Sequence, residues 1–294
     1  MPQRWNLTFD IRYTRLDNER RFENSPYDLM LRPIDENNSQ GELTFEIEAD
    51  TIDTEEAKAI GKAWVQSNLI DSYLMALGEV LKPEFRDPTL LNASELGSIA
   101  TTGHHDTAVS VAVRAAPPVA DFERAFELRR RLVAHSHREQ LERSIRWFSK
   151  VRDSYDIIDQ FVAQWIAFNV LYDLFNVSRQ SDTSAINNLI NAHPHTAMIN
   201  QILADYNNTI AALASQGLTS RDGQRNYSNE LKNLIGGQDV RSTLKAIGLC
   251  LWRVRNDIFH GGATSDQDRN FTRQCLLLLE TIYRNCFCEY LGLA

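Results

Sequence analysis

The spacing of the apolar residues changes once along this chain, near residues 114–121 ("RAAPPVAD"), and this change constrains the fold most strongly. Before it, apolar residues such as Trp5, Leu7 and Phe9 alternate with polar ones, the period of a half-buried strand. After it, apolar residues recur every three or four positions, the period of an amphipathic helix. The two adjacent prolines stop a strand and stiffen a connector. We therefore predict a domain on each side, as a length of 294 residues allows.

The first predicted domain, residues 1–116, is a small α+β domain whose role we leave unassigned. Strands are predicted at "RWNLTFDIRY", "YDLMLRP", "GELTFEIEAD" and "HDTAVSVAVRA". A long helix is predicted to begin at Asp53 or Thr54, where Asp can cap the first turn and Glu55 and Glu56 suit the helix dipole. Its predicted apolar side consists of Ile60, Trp64, Ile70, Leu74 and Leu77.

The second predicted domain, residues 120–294, is an all-α bundle. It begins with one long polar helix or two and continues with "SYDIIDQFVAQWIAFNVLYDLF". That second segment carries an aromatic stripe at helical spacing, predicted to be core: Phe161, Trp165, Phe168, Tyr172 and Phe175. Shorter helices are predicted within 176–237. A helix from about Val240 and a last helix capped by Ser265 or Asp266 complete the bundle.

Charge and composition exclude several classes of protein. The N-terminus has no apolar signal segment and no run is long enough to span a membrane, so we expect a cytoplasmic protein. The formal net charge of −8 argues against coating nucleic acid through bulk electrostatics. Residues 121–153 differ, with nine Lys and Arg against six Asp and Glu, so a polyanion would bind locally in the second half. The spacing of the four cysteines matches no zinc site, and we predict reduced, mostly buried thiols.

The stretch "LWRVRNDIFHGG" is the main candidate for chemistry. Its helix has a predicted buried stripe of Leu244, Ile247, Leu251, Val254 and Ile258. Asn256 and His260 point away from that stripe, and Arg255 lies about 60° from its centre. Arg255 and His260 are about 140° apart around the helix, so they cannot touch as simple helix neighbours. They could line two sides of one groove, especially one completed by a second molecule.

These residue types suit phosphodiester chemistry without a metal or cofactor. A histidine in the last helical turn is a candidate general acid or base. The arginine fork binds phosphate, and asparagine can orient either group. Gly261 or Gly262 is predicted to end the helix in the left-handed conformation. The same residues also fit a plain polar helix end, and the residue pattern alone leaves both interpretations open.

The motif "RNDIFH" resembles the R-x4-6-H signature of the HEPN superfamily, in the form with Asn directly after Arg. With its glycines, its final helix and the upstream "FVAQWIAFNVLYDLF", it looks like the Apea-like branch, over about residues 120–294 with an insertion near 176–237. The resemblance implies a homodimeric helical bundle that cuts RNA by attack of its 2′-hydroxyl, leaving a 2′,3′-cyclic phosphate. It implies that His260 is the general acid/base, that Arg255 holds the phosphate and that Asn256 orients one of them or the ribose.

The same resemblance implies a toxin or a phage-defence effector. The position of the first domain alone suggests a site for a regulatory partner or ligand. Some relatives carry a tyrosine two residues after the histidine as a modification site, and this chain has Gly262 there. Two other hypotheses stay open: a non-catalytic module that binds nucleotide, RNA or protein, and a dimerisation scaffold in which the motif is a buried polar network.

Other polar residues are predicted to be structural. The histidine pairs are interpreted as surface residues: His104 with His105, His135 with His137, and His193 with His195. The basic run near residues 127–152 could follow an RNA backbone, but its glutamates favour an ion-paired, solvated helix. Asn169 is predicted to pack and hydrogen-bond within the bundle, although it could support the motif from across it.

Overall fold

The computed structural model describes residues 3–12, 20–22, 29–33, 40–49, 53–78, 84–85, 88–91, 119–152, 154–176, 181–260 and 266–293. These residues divide into two compact units, Met1–Val133 and Ala134–Ala294. The first unit thus includes helix Val119–Ala134, which the sequence assigned to the second domain. Most of the predicted connector at 114–121 lies outside the described residues, so that boundary stays a prediction.

The first unit contains an antiparallel sheet. Its strands are β1 Gln3–Arg12, β2 Arg20–Phe22, β3 Leu29–Pro33, β4 Gln40–Ala49, β5 Glu84–Phe85 and β6 Thr89–Leu91. The order is β2-β3-β4-β1-β5, and β6 also pairs with β1. Three predicted strands are thereby confirmed as β1, β3 and β4. The fourth, "HDTAVSVAVRA", falls outside the described residues.

The predicted long helix runs from α1, Thr54–Val65, through a π-helical turn, Gln66–Ile70, into α2, Asp71–Leu77. Asp53 caps it as predicted, because its side chain accepts from the Glu56 backbone N–H at 3.0 Å. A Cβ at Gly61 would lie 1.8 Å from Leu7 Cδ2, so glycine lets α1 approach β1 closely. The predicted apolar face is wrong at Ile60, which is 39% exposed, because the helix packs against the sheet through its neighbouring residue Gly61.

The polar segment after the connector forms two helices, α3 Val119–Ala134 and α4 Arg138–Lys150. The second unit continues with α5 Ile157–Tyr172, a short 3-10 turn Asp173–Phe175, α6 Asp182–Ala192, α7 Thr196–Asp205, α8 Asn207–Ser215, α9 Tyr227–Leu234, α10 Val240–Phe259 and α11 Asp266–Tyr290. Helix α5 packs against α4 and α11, and α10 packs against α6, α7, α9 and α11. The predicted helical character of this half is confirmed.

Four of the five residues predicted for the aromatic stripe lie in the core, and the fifth, Phe175, is half-buried in the 3-10 turn after α5. Phe161, Trp165, Phe168 and Tyr172 are buried, and the last three contact one another edge to face. Helix α4 is tied to this core by a buried hydroxyl. Ser144 Oγ lies 2.7 Å from the Ala167 carbonyl oxygen and 2.7 Å from the Tyr283 hydroxyl, so one side chain joins α4, α5 and α11.

The segment 176–237 contributes to the same core. Its helices α6 to α9 bury apolar residues such as Ile186, Leu189, Leu213 and Leu231. All four of these helices pack on α10, and a loop with one isolated bridge precedes α9. Within the described residues, no helix is both long and apolar enough to cross a membrane.

The start of α10 is anchored to the loop between α6 and α7. The guanidinium of Arg241 donates to the carbonyl oxygens of Ile190, Asn191 and Pro194. These carbonyls lie at and just after the C-terminal end of α6, where backbone acceptors lack helical partners. Arg241 therefore fixes both that helix end and the following loop to α10.

Candidate functional site

Helix α10 presents the motif because its apolar residues fix its rotation. Asp239 caps its first turn, accepting from the Ser242 backbone N–H at 3.0 Å. The predicted buried stripe is confirmed at Leu244, Ile247, Leu251 and Val254. Ile258, its last predicted member, is half-buried. The helix therefore leaves the core as it reaches the motif.

Arg255 is held by two residues of its own helix. Its Nη1 donates to Asn256 Oδ1 at 2.8 Å, and its guanidinium carbon lies 4.4 Å from the centre of the Phe259 ring. Its Nε is shielded from solvent and has no hydrogen-bond partner among the described residues. The Phe259 ring is 52% exposed, so the arginine rests on an aromatic surface at the edge of the bundle. This agrees with the predicted position of Arg255 at the margin of the core.

His260 ends the helix and is exposed. Its backbone N–H bonds to the carbonyl oxygens of Asn256 at 3.1 Å and Asp257 at 3.2 Å. Its imidazole makes no hydrogen bond within the described part of the chain, to Arg255 or to any other residue. The structure thus brings Arg255 and Asn256 together and leaves His260 separate. Gly261 and Gly262, predicted to stop the helix, lie outside the described residues.

The sequence pattern missed a polar cluster beside Arg255. Tyr172 is fully buried, and its hydroxyl has no hydrogen-bond partner of good geometry among the described residues. Burial raises the pKa of Tyr172, the negative charge of Asp182 raises it further, and Arg255 acts in the opposite direction. Trp252 Nε1 donates to Asp182 Oδ2 at 3.4 Å, which ties α10 to the start of α6. Sequence spacing carries no signal for this group, because its members are up to 80 residues apart.

Asp173 and Arg143 extend the polar cluster away from the motif. Burial raises the pKa of Asp173 and nearby Asp182 raises it further, whereas Arg143 lowers it. Arg143 on α4 and Arg255 on α10 therefore lie within electrostatic range of the same acidic neighbourhood. Asn169 is half-buried and contributes to the same group through the pKa of Tyr172, which it lowers.

The interpretation of these histidines as surface residues is only partly right: His195 is exposed, whereas His135, His137 and His193 are half-buried. His135 and His137 lie in the turn between α3 and α4, and their rings are 5.6 Å apart, although helical spacing predicted different faces. The turn reverses the chain there, and the His137 backbone N–H donates to His135 Nδ1 at 3.1 Å. The other predicted pair, His104 and His105, lies outside the described residues.

These four histidines converge on the end of α11 in what we call the histidine cluster. His137 Nδ1 lies 2.9 Å from the Tyr290 hydroxyl, whose ring also contacts His135 and His193. Glu289 lies 3.2 Å from His193 Nδ1 and 2.8 Å from His195 Nδ1, and it accepts the His195 backbone N–H at 2.6 Å. In the described part of the chain, no group of three or more His, Cys, Asp or Glu residues could hold a metal ion.

The four cysteines are free and buried, as predicted. Burial raises the pKa of Cys250 to about 12 and raises the pKa of Cys275 and Cys286 as well. A thiol with a raised pKa is a weak nucleophile at neutral pH. The cysteines therefore contribute to packing.

The chain matches no protein-family model, no curated protein and no solved structure.

Proposed function

We propose that this protein is a metal-independent endoribonuclease of HEPN type, acting as a homodimer in a toxin or defence role. The observation that carries the proposal is the end of α10. There Arg255 is held by Asn256 and Phe259, while the exposed His260 follows directly on the same helix. The motif thus carries an arginine whose charge suits phosphate and, five residues later, an imidazole with no partner among the described residues. The motif's likeness to the HEPN signature supports the same function.

Two copies of this end of the chain would supply every group that the reaction needs. The ribose 2′-oxygen attacks the adjacent phosphorus, and the bond from phosphorus to the 5′-oxygen breaks. The products are a 2′,3′-cyclic phosphate and a free 5′-hydroxyl. One imidazole removes the 2′ proton, and another protonates the leaving 5′-oxygen. Arg255 stabilises the charge that develops on the non-bridging phosphate oxygens.

A dimer would bring together the groups that one chain lacks. Arg255 faces Asn256 and Phe259, and it makes no hydrogen bond to the described atoms of His260. The reaction also uses one base and one acid, whereas each chain offers a single motif histidine. Two facing copies of α10 would supply both imidazoles and both guanidinium groups to one phosphate.

The test compares wild type with His260→Ala on bulk RNA in EDTA. We expect the wild type to release fragments with 2′,3′-cyclic ends and the variant to lose cleavage by about 10²–10⁴-fold. His195→Ala is the matched control, because it removes another exposed histidine distant in sequence from the motif. Equal cleavage by wild type and His260→Ala, or none by wild type, contradicts the enzymatic function.

The alternative is a non-catalytic HEPN-like module that binds nucleotide, RNA or protein. The exposed His260 imidazole has no partner among the described residues that would orient it for proton transfer, and this favours binding without cleavage. In that case wild type retains RNA in a binding assay and forms no 2′,3′-cyclic ends. Arg255→Ala would then weaken binding, and His260→Ala would not.

A further inference from the structure

The cations of α3 and α4 fall into two sets according to their ion pairs. Glu127 pairs with Arg130 at 2.7 Å and Arg131 at 2.5 Å, and Glu142 pairs with Arg138 at 3.0 Å. Just after α4, Arg152 pairs with the buried Glu280 at 2.7 Å. The predicted ion-paired helix is therefore confirmed for these four arginines.

Three cations of α4 belong to the second set: Arg143, Arg146 and Lys150. All three are exposed, and none forms an ion pair with any acid in the described ranges. The spacing of three and four residues places them in one line along the helix. That line faces away from the α5-packed side, where Leu141, Ile145 and Phe148 are buried. We call these three residues the α4 stripe.

Lys150 in this stripe has a defined position. Its ammonium nitrogen lies 4.0 Å from the centre of the half-buried Trp147 ring, a close cation–π contact. At 1.5 Å per residue, the stripe spans about 10 Å along the helix axis. A nucleic acid strand carries one charge per about 3.4 Å of helix axis, so this length faces about three phosphates.

We infer that the α4 stripe binds the phosphate backbone of single-stranded RNA. The choice of RNA as the polyanion rests on the proposed function. A lipid surface fits less well, because membrane-binding helices place large apolar side chains beside their cations. On α4 the buried residues face α5, and Trp147 is already covered by Lys150.

The experiment measures binding separately from cleavage. Its probe is a 2′-O-methylated poly(U) oligomer, which cannot undergo attack by a 2′-hydroxyl. The test variant is Arg143→Gln with Arg146→Gln and Lys150→Gln. The control variant, Arg130→Gln with Arg131→Gln and Arg138→Gln, loses the same total charge from acid-paired positions. Unchanged thermal melting of the test variant confirms that it folds.

We expect the test variant to weaken the Kd for this RNA by about 100-fold at 0.1 M salt, because three lost phosphate contacts lower the salt exponent by about 2. The control should change the Kd less than about threefold. Glu139→Gln should tighten binding, because Glu139 is an exposed acid on the stripe's own face, one turn before Arg143.

Equal losses in the test and control variants would overturn the inference, because they would show an effect of net charge alone. It would also be overturned if poly-glutamate displaced the RNA at equal concentration, or if the test variant lost binding to phosphatidylserine vesicles but kept RNA. Loss of RNA binding by the test variant together with uncleaved RNA in the wild type would support the stripe and reject the nuclease. Normal RNA binding by the test variant together with RNA cleavage by the wild type would support the nuclease and reject the stripe.

Discussion

The two regions of the second unit that hold histidines differ in how their side chains are committed. In the histidine cluster, His193 and His195 share the Glu289 carboxylate and His137 bonds to Tyr290. At the end of α10, His260 is exposed and its imidazole has no partner within the described residues. The cluster comes from three separate segments, whereas the motif comes from one helix turn. The imidazoles of the cluster are therefore engaged in contacts within the fold, whereas that of His260 makes none to a described residue.

The largest effect is expected on RNA cleavage, which a substitution in the motif should lower and one in the histidine cluster should leave unchanged. Arg255→Lys keeps the charge but loses the planar fork that binds phosphate in two places. We expect RNA cleavage to fall by about 10²-fold, with little change in thermal midpoint. The paired variant, His193→Ala, should lower the midpoint and leave cleavage per folded molecule unchanged. A lower midpoint with unaltered cleavage for Arg255→Lys would make the motif a packing network, as in the scaffold hypothesis.

The second prediction tests the strength of the histidine cluster. Glu289→Gln replaces a carboxylate that accepts from two imidazoles and one backbone N–H. We expect the free energy of unfolding, measured in urea, to fall by about 1–3 kcal/mol, because charge-assisted bonds lose their acceptor. Glu230→Gln is the control, since its bidentate pair with Arg225 is more exposed and contributes at most about 1 kcal/mol. Similar losses in both variants would contradict a stabilising role for the cluster.

A smaller effect is expected on the pH dependence of stability. Burial lowers the pKa of His135, and the neighbouring His137 lowers it further. The unfolded chain therefore binds this proton more readily, so stability should fall as pH drops below the ordinary histidine value of about 6.5. His135→Gln should make the thermal midpoint depend less on pH between pH 7 and 5.5. An unchanged slope in that variant would assign the pH dependence to other groups.

Glu289 acts in a different pH window. Burial raises the pKa of its carboxyl, but hydrogen bonds from His195 and His193 outweigh burial and leave it below its usual value. Its contribution is therefore present above the ordinary pKa of 4.5 and is lost as pH falls through the lower folded value. Glu289→Gln should remove a pH dependence below 4.5, whereas His135→Gln acts above it.

The smallest effect is expected beside the motif. Arg253 and Asp257 form a salt bridge one helical turn apart, on the same helix as Arg255. Arg253→Gln should cost about 0.3–0.5 kcal/mol in urea unfolding and leave RNA cleavage unchanged. A loss of cleavage as large as that of Arg255→Lys would show that the effect is not specific to the motif arginine.

Sequence periodicity predicted what depends on neighbours along the chain. The aromatic stripe of α5, the Asp53 cap and the buried side of α10 all follow from local spacing and were confirmed. The face of α1 was misplaced at Ile60, because the close approach of Gly61 to Leu7 depends on a strand far away in sequence. The four histidines were misread for the same reason: the Tyr290 and Glu289 side chains that collect them are contributed by another helix.

The candidate site was predictable only in part. Helical geometry separated Arg255 from His260, and the structure has no bond between these two side chains among its described residues. The same geometry did not anticipate that Arg255 would bond to the adjacent Asn256 and rest on Phe259, because rotamers are not encoded in spacing. Tyr172 and Asp182 were not predicted as neighbours of the motif, because the burial that raises the pKa of Tyr172 cannot be derived from the sequence pattern.

Arg241 gives α10 a second role as a rod anchored at one end. Its guanidinium donates hydrogen bonds to the carbonyl oxygens of Ile190, Asn191 and Pro194, in the segment that leads into His195. Arg255 lies fourteen residues further along the same unbroken helix, about 21 Å along its axis. The position of the motif is therefore fixed in part by distant contacts, which Arg241 makes to a loop that supplies none of the motif's own residues.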